Sequence, residues 1–116
     1  MSAYSADQLK LTVETGVRAR IAWAAFEPNG PKLWGRVKRE VSRFMQGLFE
    51  QGTFQGRKRK DAYFVKCDAN TMTPADIAEG NLIVVVGFAD VRPAEFVVIT
   101  IGQMVQSAES DGKCKR

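Results

Sequence analysis

"FEPNGPKLWGRV", residues 26 to 37, decides how the chain divides. Pro28 and Pro31 have no backbone N–H to donate, and a residue preceding a proline is pushed away from helical angles. A helix arriving from the N-terminal side must stop before Pro28. Asn29 or Gly30 then caps the next helix, with Pro31 pre-set at its first position. From there Leu33, Trp34, Val37, Val41, Phe44, Met45, Leu48 and Phe49 recur at helical spacing, while Arg36, Lys38, Arg39, Glu40 and Arg43 fill the opposite face. Gly52 is a natural stop, so the spacing predicts an amphipathic helix over residues 31 to 51.

Upstream, "SADQLKLTVETGVRARIAWAAF" places Ser5 three residues before Gln8, a capping-box arrangement. Leu9, Val13, Val17 and Ile21, extended by Ala24 and Ala25, make a second apolar stripe. Gly16 within it costs about 1 kcal/mol relative to alanine, which predicts a kink there or an ordered helix only beyond it. Downstream, the glycines and charges of "GTFQGRKRKD" read as a loop and "AYFVKCD" as a short strand. Thr73, Pro74, Asp76 and Gly80 mark the cap, first position, first turn and stop of a two-turn helix. "NLIVVVGFA" and "AEFVVITIGQ" are β-branched strands on either side of the turn "DVRP". In the second, Val97, Ile99 and Ile101 share one face and Phe96, Val98 and Thr100 the other. The fold class that follows is α+β: two main helices on one face of a small, mostly antiparallel sheet of three or more strands, plus one short helix. From about Ser107 the chain reads as a mobile tail.

Composition narrows the function. The 116 residues suit one domain, and 45% apolar with 26% charged residues is ordinary for a folded soluble protein. No apolar run approaches the 18 residues of a membrane span, and the N-terminus has no apolar leader, so the chain reads as soluble and unsecreted. Cys67 and Cys114 are far apart and read as free thiols in a reducing compartment. With no histidine, neither a Ser-His or Cys-His pair nor a zinc site can be assembled from this chain alone; no enzyme and no cofactor are expected.

A net charge of +4 suits an acidic partner. It has two sources, the helix face around Lys32, Arg36, Lys38, Arg39 and Arg43, and the tetrad Arg57-Lys58-Arg59-Lys60. The tetrad reads either as a solvated loop or as part of a small basic nucleic-acid-binding module, and Tyr63-Phe64-Val65 either as core strand or as a stacking surface. Glu27 and Glu95 each adjoin a proline turn and a phenylalanine; they read as acceptors of turn amides or arginine partners rather than a catalytic pair. The last strand carries neither charge nor proline between Phe96 and Ile101, so it is either central or open to a strand from another chain.

In order, "WAAFEPNGPKLW", "GLFEQGTFQG", "AYFVKCDANTMTPADIAEG" and "VRPAEFVVITIGQ" resemble the C-terminal domain of the tail sheath proteins of contractile bacteriophages and related injection particles. The resemblance covers residues 14 to 104, with 1 to 13 an extension that is weakly family-like and poorly packed, and 105 to 116 a flexible tail or arm. It is carried by Phe26, Glu27, Pro28, Asn29, Leu33 and Trp34, by Cys67, Asp68 and Gly80, and by Pro93, Glu95 and Phe96. The resemblance implies a structural subunit in a phage or prophage tail sheath, assembled in the host cytoplasm, whose partners are neighbouring sheath subunits and the inner tail tube protein. It implies that Phe96, Val97, Val98, Ile99, Thr100 and Ile101 form a strand linking subunits, and that contraction uses energy stored in the assembly. Lys32, Arg36, Arg39 and Arg43 are the residues expected to face the tube, and nucleic acid is not an expected partner. Sheath proteins are several times longer, which implies a fragment or a truncated prophage product, monomeric when alone.

Overall fold

The computed structural model describes residues 6–54, 58–89 and 96–107. Helix α1 (Ala6–Ile21) tightens into a 3-10 turn (Ala22–Phe26), ending before Pro28. Helix α2 (Pro31–Glu50) begins on the first proline that can start it, with Gly30 extended at its cap. A one-turn helix α3 (Arg59–Ala62) leads into strand β1 (Tyr63–Lys66); α4 (Pro74–Glu79), β2 (Asn81–Ala89) and β3 (Phe96–Met104) follow. The three strands form an antiparallel sheet in the order β1-β2-β3, an α+β fold as the pattern predicts. The Ser5 end of the capping box, Arg57 of the tetrad, the "DVRP" turn and Cys114 lie outside the described residues.

Both long helices lie on one face of the sheet, α1 over β3 and α2 over β1. The core between them is Leu9, Val13, Val17 and Ile21 from α1, Val37, Val41 and Met45 from α2, and Leu82, Val84, Val86, Phe88, Ile99 and Ile101 from the sheet. Strict alternation puts these strand residues inward because a strand shows successive side chains to opposite faces. On the other face Val98 and Met104 are exposed.

Three expectations are corrected. The apolar stripe of α1 is packed from Leu9 onward, with Leu9 and Val13 buried, so poor packing through residue 13 does not hold. Gly16 does not delay α1, which is helical from Ala6 to Ile21: a Cβ there would overlap the Phe44 ring of α2, so the glycine is the seat on which that ring rests. Arg59 and Lys60 are not in a loop but in α3, one turn whose Ala62 is buried. The short helix α4 follows its sequence signals closely. The Thr73 hydroxyl accepts from Asp76 N–H while the Asp76 carboxylate accepts from Thr73 N–H, both at 3.0 Å, and Gly80 ends the helix at φ 82°.

Candidate functional site

The residues of the "FEPN…LW" motif meet at one place. Asn29, 2% exposed, accepts from Trp34 Nε1 through its Oδ1 at 2.7 Å, and its amide nitrogen points at the carbonyls of Asp76 and Ile77 at 3.4 and 3.5 Å. Its backbone N–H donates to Gln106 O at 3.1 Å, and Gln106 N–H donates to Glu27 O at 3.1 Å. Pro28 and Gln106 thereby form a parallel β-bridge, with the Gln106 side-chain amide reaching Ala25 O at 3.2 Å. Val105 N–H donates to Gly80 O at 2.8 Å. The joint between the long helices, the end of α4 and the residues after β3 are thus bolted together around one buried asparagine. Leu33 and Trp34 are buried beside it, whereas Phe26 is 81% exposed. The chain expected to be a free arm from residue 105 is seated through Gln106; residues 108–116 lie outside the description.

Strand β3 is an edge, which settles the alternative the sequence left open. All nine of its residues pair with β2, leaving its other side facing outward. Backbone groups along an edge strand point alternately to the partner and away. Val105 N–H reaches Gly80, the residue before β2, so odd-numbered residues point at β2 and even-numbered ones point out. Gln106 reaching the joint on the opposite side fits the same alternation. The outward groups of Val98 and Thr100 have no partner among the described residues, whereas Gly102 O accepts from Arg18 Nη1 at 3.1 Å and Met104 O from the Gln103 amide at 3.0 Å. Of the predicted linking strand, Val98 and Thr100 therefore offer backbone to a neighbour, while Val97, Ile99 and Ile101 spend theirs on β2; Phe96 opens the strand.

Lys32, Arg36, Arg39 and Arg43 lie at spacings of four, three and four on α2 and are all exposed. Arg36 is fixed: its guanidinium sits 4.5 Å above the Trp23 ring and 3.4 Å from Glu27 Oε1. Arg43 approaches Glu40 at 3.9 Å. Lys32 and Arg39 have no ion-pair partner among the described residues. In a 3-10 helix residues three apart eclipse, so exposed Phe26 shares the face of Trp23 beside this stripe. The second cationic group, Lys58 to Lys60, is exposed on and beside α3.

The remaining candidates are structural. Tyr63 and Val65 are buried, and the Tyr63 hydroxyl donates to Gln46 Oε1 at 2.6 Å, so the core reading of that strand holds for them; Phe64 is half-buried on the outer sheet face. Asp68 shapes a turn, its Oδ1 accepting from Asn70 N–H at 2.8 Å, and the Thr71 hydroxyl lies 2.9 Å from Ile83 O on β2. Cys67 is a buried free thiol; burial, and then the Asp68 charge, pushes its pKa up to about 12, which makes it unreactive. Glu27 pairs with Arg36 as expected, and Pro93 and Glu95 lie outside the described residues. Among the described residues no cluster of acids and cysteines could hold a metal ion, and no helix is long and apolar enough to cross a membrane.

Reading the sequence alone misses Arg18, Gln106 and Trp23. The Arg18 contact joins residues 84 apart, and nothing local to Arg18 signals it. Trp23 could be suspected, since an aromatic just before a basic helix is a frequent stacking platform for arginine.

Two solved structures resemble the chain. One is a cryo-EM structure of the anti-feeding prophage (AFP) baseplate, 35% identical with a TM-score of 0.69 over 83% of this chain. The other is the PVC sheath complex of an extracellular contractile injection system in its contracted state, 39% identical with a TM-score of 0.67 over 90% of this chain. The chain spans only 27% and 29% of those proteins' lengths. No family model and no curated protein matches the chain.

Proposed function

We propose that this chain, a relative by sequence and fold of components of contractile injection particles, is the tube-facing C-terminal sheath domain of such a particle. In this reading it is a structural subunit, not an enzyme. It links to neighbouring subunits by strand exchange and shortens with the whole sheath, driving an inner tube through a cell envelope without nucleotide hydrolysis. The observation that carries the reading is the outer edge of β3: in a chain related to a sheath component, Val98 and Thr100 present backbone without a partner among the described residues, in a stretch without the charge or proline that blunts solitary edges. Neighbours joined through backbone hydrogen bonds can change their relative angle while staying linked, which a two-state assembly requires. The basic stripe of α2 is the surface offered to the tube, with Lys32 and Arg39 the cations left to pair with acidic groups.

The test is electron microscopy of the entire reading frame that contains this chain, expressed without other particle proteins. Hollow, cross-striated tubes are the expected product. Dispersed particles that instead bind nucleic acid, with an affinity collapsing steeply as salt rises, would replace the sheath reading with that of a small basic binding module.

A further inference from the structure

We propose that Arg18 is a gate on the open edge of β3, closing the lane in which an extended strand of a second copy of this chain pairs. The proposal rests on the strand-exchange reading above and adds which part of the edge is open, which part is closed, and by what.

The outward acceptors of β3 are not equivalent. Gln106 is taken by the helix joint, Met104 O by the Gln103 side chain and Gly102 O by Arg18 at 3.1 Å. Val98 and Thr100, in the most β-prone part of the strand, have no outward partner among the described residues. The lane accepts extended backbone, because Glu27 to Asn29 already lie in its far end, bridged in parallel to Gln106. A strand entering beside Val98 and Thr100 and continuing in register next needs Gly102 O, where it meets the guanidinium. Arg18 comes from α1 and is held by Glu14 at 3.2 Å while its side chain stays 48% exposed. An ion pair this exposed is weak. It deters pairing by a single chance contact and yields to a strand that brings several backbone hydrogen bonds at once. A second copy is the occupant because the related chains are built into a baseplate and a sheath complex, and because Phe96 to Ile101 is itself a strand of the required kind.

The experiment measures self-association of this chain by sedimentation equilibrium, with residue-resolved amide hydrogen exchange. Arg18→Ala is expected to strengthen self-association about fivefold, the scale of one exposed ion-pair contact, with new protection at the amides of Val98, Thr100 and Gly102. Thr100→Pro removes an outward N–H without removing a bond to β2, a place where an edge strand tolerates proline. It is expected to abolish association in both backgrounds, its fold checked by retained protection at Ile99 and Ile101. If Thr100→Pro abolishes association but Arg18→Ala leaves it unchanged, the gate is overturned and strand exchange stands. If neither changes association, or protection appears elsewhere, the gate falls together with this edge as the point of exchange, whatever the whole reading frame assembles into.

Discussion

Asn29 shows how one residue can carry a joint. A buried amide that left its partners would strand the Trp34 indole N–H, itself in a side chain only 7% exposed. Asn29→Ala is therefore expected to lower stability by about 2–3 kcal/mol, the cost of an unsatisfied buried donor plus weaker bonds lost. Urea denaturation measures it. Trp34→Phe removes the donor as well as the need for its acceptor, so the double substitution should cost clearly less than the sum of the two singles. Additive losses would mean that the pair does not act as a unit. Sequence reasoning names Asn29 as a possible helix cap; it is in fact a tertiary hub, and Gly30 is the residue at the cap. The error has a physical source, since a polar residue before a helix serves caps far more often than cores.

At the scale of elements, the end of α4 is the counterpart of that joint. Gly80 takes φ 82°, where a side chain is strained, and a Cβ there would overlap the backbone carbonyl of Val105. Gly52 has a similar φ of 78° but open space around it. Gly80→Ala is expected to cost about 2–3 kcal/mol and Gly52→Ala about 1 kcal/mol, the difference being steric. Amide exchange at Val105 and Gln106 should quicken in the Gly80 variant alone. Equal losses in the two variants would show that the seat of Val105 is not rigid. The boundaries of α2 and α4 were legible because prolines, a capping box and terminal glycines act within a few residues. The turn of α3 was not, because the preceding glycines and its own charges are ordinary loop chemistry and only the burial of Ala62 against the sheet decides for helix.

For the whole molecule, the unpaired charges of the α2 stripe matter most. Lys32 and Arg39 have no ion-pair partner among the described residues, so reversing both to glutamate should change stability by less than about 0.5 kcal/mol. The same double variant should lose attachment to the inner tube protein, and wild-type attachment should weaken as salt rises. Co-assembly that is unaffected by the reversal and by salt would remove the stripe from the tube contact. Arg36 is the wrong probe for this purpose because it also stacks on Trp23 and pairs with Glu27, so its loss would mix packing with charge.

The sequence by itself determined the two amphipathic helices, the break at Pro28, the short capped helix and how the residues of the last strand divide between two faces, because helix period, proline geometry and strand alternation are local rules. It also carried the family resemblance, with more than a third of the residues shared with a sheath complex. Only the tertiary structure decided that β3 is an edge and not the centre, that the outward groups of Val98 and Thr100 are left open among the described residues, and that Gly16 and Gly80 are contact surfaces. Strand order and close approach join residues far apart in the chain, and no periodicity within one segment records which distant segment will lie beside it.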